Sequence, residues 1–168
     1  MKQQRQKQLL LSLLLYTTFT QISANEPAGA RSTGMGGVSA IHSDLWSVKN
    51  NPAGLAGLKW STAGVSAQNN FLLKELTTRS VAAAFPLRRI SFGLSGSSFG
   101  YTAYSTYSAG LAAGMILTKD LSAGFSAGIK RFTIRDYGSK NILTLRIGMQ
   151  LRPYRNLKAG ILVSNPHR

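Results

Sequence analysis

Leu121-Ser122-Ala123-Gly124-Phe125-Ser126-Ala127-Gly128-Ile129-Lys130 alternates without a break. Successive side chains of an extended chain point to opposite faces, so Leu121, Ala123, Phe125, Ala127 and Ile129 share one face and Ser122, Gly124, Ser126, Gly128 and Lys130 the other. One face is apolar and the other is small or polar. The same pattern runs outward in both directions. Upstream, Ala109, Leu111, Ala113, Met115 and Leu117 oppose Ser108, Gly110, Ala112 and Gly114, and before them Ile90, Phe92 and Leu94 oppose Ser91, Gly93 and Ser95. Downstream, Leu143, Leu145, Ile147, Met149 and Leu151 oppose Thr144, Arg146, Gly148 and Gln150. Weaker versions occupy residues 61–68, 80–85 and 157–164, so seven strands are expected within residues 59–168.

Many of these segments have the roughly nine to eleven residues with which a tilted strand crosses a bilayer. A soluble sandwich alternates too, and the opposite face separates the two. A sandwich turns its apolar face inward and a charged face to water, whereas here the second face is Ser, Gly, Thr and Gln, with Lys130 and Arg146, in a chain only 15% charged. That composition suits the small, polar interior of a transmembrane barrel. Short links are expected at Pro86-Leu87-Arg88, Thr118-Lys119-Asp120 and Arg152-Pro153-Tyr154-Arg155-Asn156, and mostly longer ones at 69–78, 97–105 and 137–140. Tight turns at one rim and longer loops at the other are the habit of outer-membrane barrels. The aromatics are expected to form two girdles, with Trp60, Phe85 and Tyr154 at the inner rim and Phe71, Phe99, Tyr101, Tyr104, Tyr107 and Tyr137 at the outer. Cationic side chains gather near strand ends and links, among them Arg79, Arg88, Arg89, Lys119, Arg131, Arg152 and Lys158. At the outer rim two roles are open to them: meeting lipopolysaccharide phosphates, or forming a solvated rim that blunts aggregation.

Before the strands comes an export signal. Lys2, Arg5 and Lys7 precede the apolar run Leu9-Leu10-Leu11-Ser12-Leu13-Leu14-Leu15, and a polar stretch ends at Ile22-Ser23-Ala24. This is the layout of a cleaved secretory signal peptide over residues 1–24. The expected destination is the bacterial cell outer membrane.

Over all 168 residues there are 20 Lys and Arg against 5 Asp and Glu, a net charge of +15, with two His and no Cys. Missing cysteines exclude a disulfide scaffold and any thiolate metal site. With two histidines and five acids, neither a metal centre nor a catalytic carboxylate pair can be argued, and no cofactor is expected. His42, Ser43 and Asp44 hold the residue types of a hydrolase triad, but neighbours in sequence do not converge as nucleophile, base and orienting group. Gly34-Met35-Gly36-Gly37 lacks the Lys and Ser/Thr of a phosphate loop. The positive charges are dispersed along strand ends rather than clustered with stacking aromatics, so nucleic acid is not an expected partner. No enzyme is expected.

Residues 28–58 read A-G-A-R-S-T-G-M-G-G-V-S-A-I-H-S-D-L-W-S-V-K-N-N-P-A-G-L-A-G-L. Gly34, Gly36 and Gly37 permit positive φ or close backbone approach. Asp44 can cap a turn beginning at Leu45, and Asn51-Pro52 places a capping residue before a proline at the first helical position. A compact plug over residues 25–58 is therefore expected. Gly29-Ala30-Arg31-Ser32, Gly34-Met35-Gly36-Gly37, Asp44 and Asn51-Pro52-Ala53-Gly54-Leu55-Ala56 together resemble the N-terminal signature of the FadL-like outer-membrane superfamily, including its PorV/PorQ branch. The resemblance implies a fourteen-stranded antiparallel barrel with an N-terminal hatch folded into the lumen, of which this chain holds the N-terminal half. Its implied hatch motif is Gly34, Met35, Gly36, Gly37, Asp44, Asn51, Pro52, Ala53, Gly54 and Leu55.

Two roles follow from the resemblance: passive transport of hydrophobic compounds, as in the fatty-acid transporters, or a non-transporting part in type IX-like secretion or surface assembly, where exported proteins are the partners. Between Asp44 and Asn51 the sequence departs from the family pattern, reading Leu45-Trp46-Ser47-Val48-Lys49-Asn50. No ligand contact is carried over. Seven strands are half the implied number, and an open sheet in hydrocarbon leaves its edge N–H and C=O groups unsatisfied at several kcal/mol each. A truncated or split reading frame is the expectation, with self-association of a half-barrel as the alternative.

Overall fold

The computed structural model describes residues 28–69, 72–154 and 156–165. The expected signal peptide, the first three residues of the expected plug, Phe71 and Arg155 lie outside the described residues. The chain is all-β after residue 61. Strands β1 (Thr62–Asn69), β2 (Thr77–Leu87), β3 (Ile90–Tyr101), β4 (Tyr104–Ile116), β5 (Leu121–Ile134), β6 (Gly138–Tyr154) and β7 (Leu157–Ser164) follow in spatial order as an antiparallel meander. The sheet curls into an open half-barrel. Among the described residues no strand pairs with the outer edges of β1 and β7, and no helix is long and apolar enough to cross a membrane. Seven strands were expected, and seven form.

Register carries the sequence alternation across the whole sheet. On the convex face Val65, Val81, Gly96, Ala109, Ile129 and Leu143 stand side by side. Two residues along each strand, the row is Ala83, Leu94, Leu111, Ala127 and Leu145, and beyond it Phe85, Phe92, Ala113, Phe125, Ile147 and Val163. Met115, Ala123, Met149 and Ile161 follow, then Leu121, Leu151 and Ala159. This face is uncovered: Val65 is 81% exposed and Leu111 69%. The concave face carries Ser80, Ala82, Ala84, Ser91, Gly93, Ala112, Gly114, Ser126 and Gly148, all buried. What buries them is the segment before β1. It contains one helical turn (Ala30–Gly34) and two 3-10 turns, η1 (Leu45–Val48) and η2 (Pro52–Gly57), and η2 lies against β4, β5 and β6. The apolar core sits there, with Leu45, Val48 and Leu55 packed on Ala82, Ala84 and Ala112.

Two expectations about the ends of the strands are corrected. The strands run longer than their apolar spans. β3 and β4 continue through Ser97-Ser98-Phe99-Gly100 to a two-residue turn at Thr102-Ala103, and β2 reaches Leu87 before turning at Arg88-Arg89. Long and short links therefore do not take turns: of the three links at the expected outer rim, only the one between β1 and β2, which holds the short turn Lys74–Leu76, is long. Small polar residues read as loop when their pairing partners are unseen, yet Ser97 pairs with Ser108 and their hydroxyls meet at 2.6 Å.

The outer aromatic girdle also divides. By strand parity Tyr107 joins the convex face, whereas Phe99 and Tyr104 stack edge-to-face on the concave side with centroids 6.2 Å apart. Phe85 is paired with Phe92 inside the apolar rows rather than at a rim.

Candidate functional site

The segment before β1 lies so close to the sheet that five strand glycines leave no room for a Cβ. Gly93, Gly114, Gly124, Gly148 and Gly160, on five successive strands, make a floor with no side chains. Gly114, Gly124 and Gly148 are direct register partners. A Cβ on Gly114 or Gly124 would collide with the backbone of Pro52 and Ala53 or Ala56. On Gly148 it would strike the Asn51 carboxamide, and on Gly160 the Ala40 carbonyl. The floor glycines thus let a chain segment lie directly on the sheet. The segment answers in kind, because a Cβ on Gly54 would meet the His42 carbonyl and the Ser47 side chain.

Local sequence explains how residues 51–57 hold their shape. Asn51 is extended, its Oδ1 accepts from the Ala53 amide at 3.1 Å, and Pro52 occupies the first turn position, where no amide proton is needed. The Asn51 Nδ2 donates to the Ala40 carbonyl at 2.7 Å and reaches the Met149 carbonyl of β6 at 3.5 Å. Asn51 and Leu55 are both 0% exposed. Every polar atom of that buried carboxamide is therefore engaged, as a buried amide requires. Asn50 does the same for the start of the segment, accepting from the Ala28 amide at 2.9 Å and donating to the Ala28 carbonyl at 3.0 Å and the Ser32 hydroxyl at 3.2 Å.

Further side chains tie the segment to the sheet. Gln150 on β6 donates to the Ala40 and His42 carbonyls at 2.8 and 2.9 Å and accepts from the Ser43 hydroxyl at 3.3 Å. Arg146, two turns of the pleat away on the same face, donates to the Lys49 carbonyl. Lys49 extends to the Ser80 hydroxyl at 3.4 Å, and Thr33 donates to Gln68 on β1 at 3.4 Å. Cations on this face are placed over hydroxyls and aromatics: Lys130 Nζ lies 4.8 Å from the Phe132 ring centre. A recess of about 40 Å³ remains beside Lys49 and Arg146, walled by Ser95, Ser108, Ser126 and Thr144. A second, of about 160 Å³, opens at the other end of the segment among Ser43, Gly57, Ser122, Gln150, Arg152 and Lys158.

Not all of the motif residues meet. Asn51, Pro52, Ala53, Gly54 and Leu55 form the seated part, and Asp44 stands at the start of η1, its own amide donating to Ser47 Oγ at 3.2 Å. Gly34, Met35, Gly36 and Gly37 are exposed and touch no floor. They turn the chain back after the first helical turn, with φ of 66° at Gly36 and 87° at Gly37. His42 is buried with Nε2 lacking a partner, and one Asp44 carboxylate oxygen is also without one. The neighbouring Ser43 hydroxyl is directed to Gln150, so these three side chains do not converge.

Gln150, Arg146, Asn50 and the floor glycines were not singled out as site residues. Their signal was present but dispersed: all the floor glycines fall on the polar parity of their strands, as do Arg146 and Gln150. Comparison of the chain with protein-family models, with curated proteins and with solved structures gives no match.

Proposed function

We propose that this chain is an outer-membrane β-barrel protein of the FadL-like type, in which residues 25–58 are a hatch and the barrel serves passive passage of hydrophobic compounds. One observation carries the reading: the sheet covers its small, glycine-rich face with its own chain and leaves its large apolar face bare. A water-soluble fold does the reverse. From Leu143 to Leu151 the bare rows extend about 27 Å along the strand, and less along the axis of a tilted barrel, close to the apolar band of about 25 Å on membrane barrels. Lipid covers such a face, and the open edges of β1 and β7 take up further strands, since unpaired backbone is costly in hydrocarbon.

The hatch reading has a physical basis in the seat. Over β4 to β6 the contacts of residues 52–56 with the floor are largely backbone surfaces, and the apolar side chains of the segment, Leu45, Val48 and Leu55, rest on small alanines rather than between large groups, so few bulky side chains have to separate for it to leave. A second reading, a non-transporting component of secretion or surface assembly, draws on the same seat. Fully satisfied amides at Asn50 and Asn51 fix the segment, which suits a permanent plug. Uptake of a labelled long-chain fatty acid by cells with and without the gene separates the two. Reduced uptake in its absence is the expected result; unchanged uptake with loss of surface-exported proteins would favour the second reading.

A further inference from the structure

The convex face is not uniformly apolar. Its uppermost apolar row is thin in the middle, because Gly96 and Ala109 sit between Val81 and Ile129. They leave a groove of about 480 Å³, closed above by Arg79, Tyr107 and Arg131. These three belong to the next row, Arg79, Ser98, Tyr107, Arg131 and Asn141, where the apolar surface ends abruptly. A second groove of about 380 Å³ continues from the same Arg79, Ser98 and Tyr107 toward the strand ends and is lined by Thr77, Thr102 and Ser105. Arg131 is braced by a 3.1 Å hydrogen bond from its guanidinium to the Ser139 hydroxyl.

The two grooves form one continuous site of three parts, sharing Arg79, Ser98 and Tyr107 in the middle. The lower part has the shape and chemistry for an acyl chain seated over Gly96 and the Ala109 methyl between Val81 and Ile129. The middle part offers guanidinium forks, which suit phosphate oxygens, and a phenol. The upper part offers hydroxyls for a polyhydroxylated headgroup. Arg79 and Arg131 stand on β2 and β5, three strand spacings or about 14 Å apart at the backbone, a separation that suits two phosphates better than one. A headgroup with a phosphate at each end matches them, and the excess of 17 Lys and Arg over 5 acids after residue 24 favours an anionic ligand.

We propose that the outer face of β2 to β5 is a binding site for an acylated disaccharide carrying two phosphates, the lipid A class of glycolipid. One acyl chain lies over Gly96 and Ala109, the phosphates meet Arg79 and Arg131, and sugar hydroxyls meet Thr77, Thr102 and Ser105. The proposal rests on the membrane reading, and its test keeps the two apart. The full chain is reconstituted into phosphatidylcholine vesicles with and without diphosphorylated lipid A, floated, extracted into nonionic detergent, and its retained lipid counted by native mass spectrometry. The expected result is insertion in both vesicles, with the open edges of β1 and β7 paired between copies, and about one lipid A kept per chain. Retention is expected to fall at least tenfold in Arg79→Gln/Arg131→Gln, and also in Gly96→Leu, which fills the acyl groove but keeps both cations. Insertion with equal retention by all variants, or with phosphatidylglycerol kept as well as lipid A, overturns the lipid site alone. Failure to insert into either vesicle overturns the membrane reading together with it.

Discussion

The two faces of β3 to β6 are made by the same strands, whose residues alternate between them, yet they obey different rules. On the convex face size varies freely: Phe92 neighbours Ala113 and Phe125 neighbours Ile147, with nothing packed on top. On the concave face size is fixed almost atom by atom, because Gly114, Gly124 and Gly148 admit no Cβ while the 50–56 backbone lies on them. The difference teaches that one face is free of packing constraints and the other is fitted to a particular piece of chain. Hydrophobicity alone would have assigned the core to the wrong side.

Substitutions chosen from each face can break this contrast. The largest loss is expected from Leu55→Ala, which empties the centre of the only well-packed apolar cluster among the described residues. A cost of about 2–5 kcal/mol is typical for such a change, to be read from the denaturant midpoint of the folded protein in detergent or vesicles. Leu111→Arg addresses the convex face. In lipid it costs about 2–4 kcal/mol near the midplane, whereas in water a residue 69% exposed would tolerate arginine with almost no change in stability. Gly124→Ala is expected to cost about 1–3 kcal/mol by overpacking, although alanine replaces glycine harmlessly in most strands. The same substitution at Gly138, which has nothing within reach of a Cβ but a φ of 96°, separates backbone strain from collision with the segment. Asn51→Ala is the mildest, at about 1–2 kcal/mol for the Ala53 amide left without its acceptor, because the Ala40 carbonyl keeps its hydrogen bond from Gln150. Its signature is local: faster amide exchange over residues 40–57 with the strands unaffected.

Much of this was legible in the sequence, and for a definite reason. Period-two alternation depends only on neighbours, so all seven strands could be placed, and the Asn51-Pro52 turn is likewise a local signal. Strand ends were less legible. Ser97-Ser98-Phe99-Gly100 has no apolar partner face to mark it, and its strand character comes from pairing with residues 105–108. The seat was least legible of all. Each floor glycine by itself reads only as a weak point in a strand, and their common purpose depends on register across five strands and on a segment about 110 residues away from Gln150 in sequence. The exposed Gly34-Met35-Gly36-Gly37 run stood out more in the sequence than it matters to the packing.

The central claim is that the bare face meets lipid and the covered face does not. Since the chain has no cysteine, single cysteines can be placed at Leu94 and Ser95, adjacent residues of β3 on opposite faces. Each is labelled with an environment-sensitive fluorophore and reconstituted in vesicles containing mid-bilayer nitroxide lipids. Strong quenching at Leu94→Cys with little at Ser95→Cys is the predicted result. Equal quenching at both, or stronger quenching at Ser95→Cys, would contradict it.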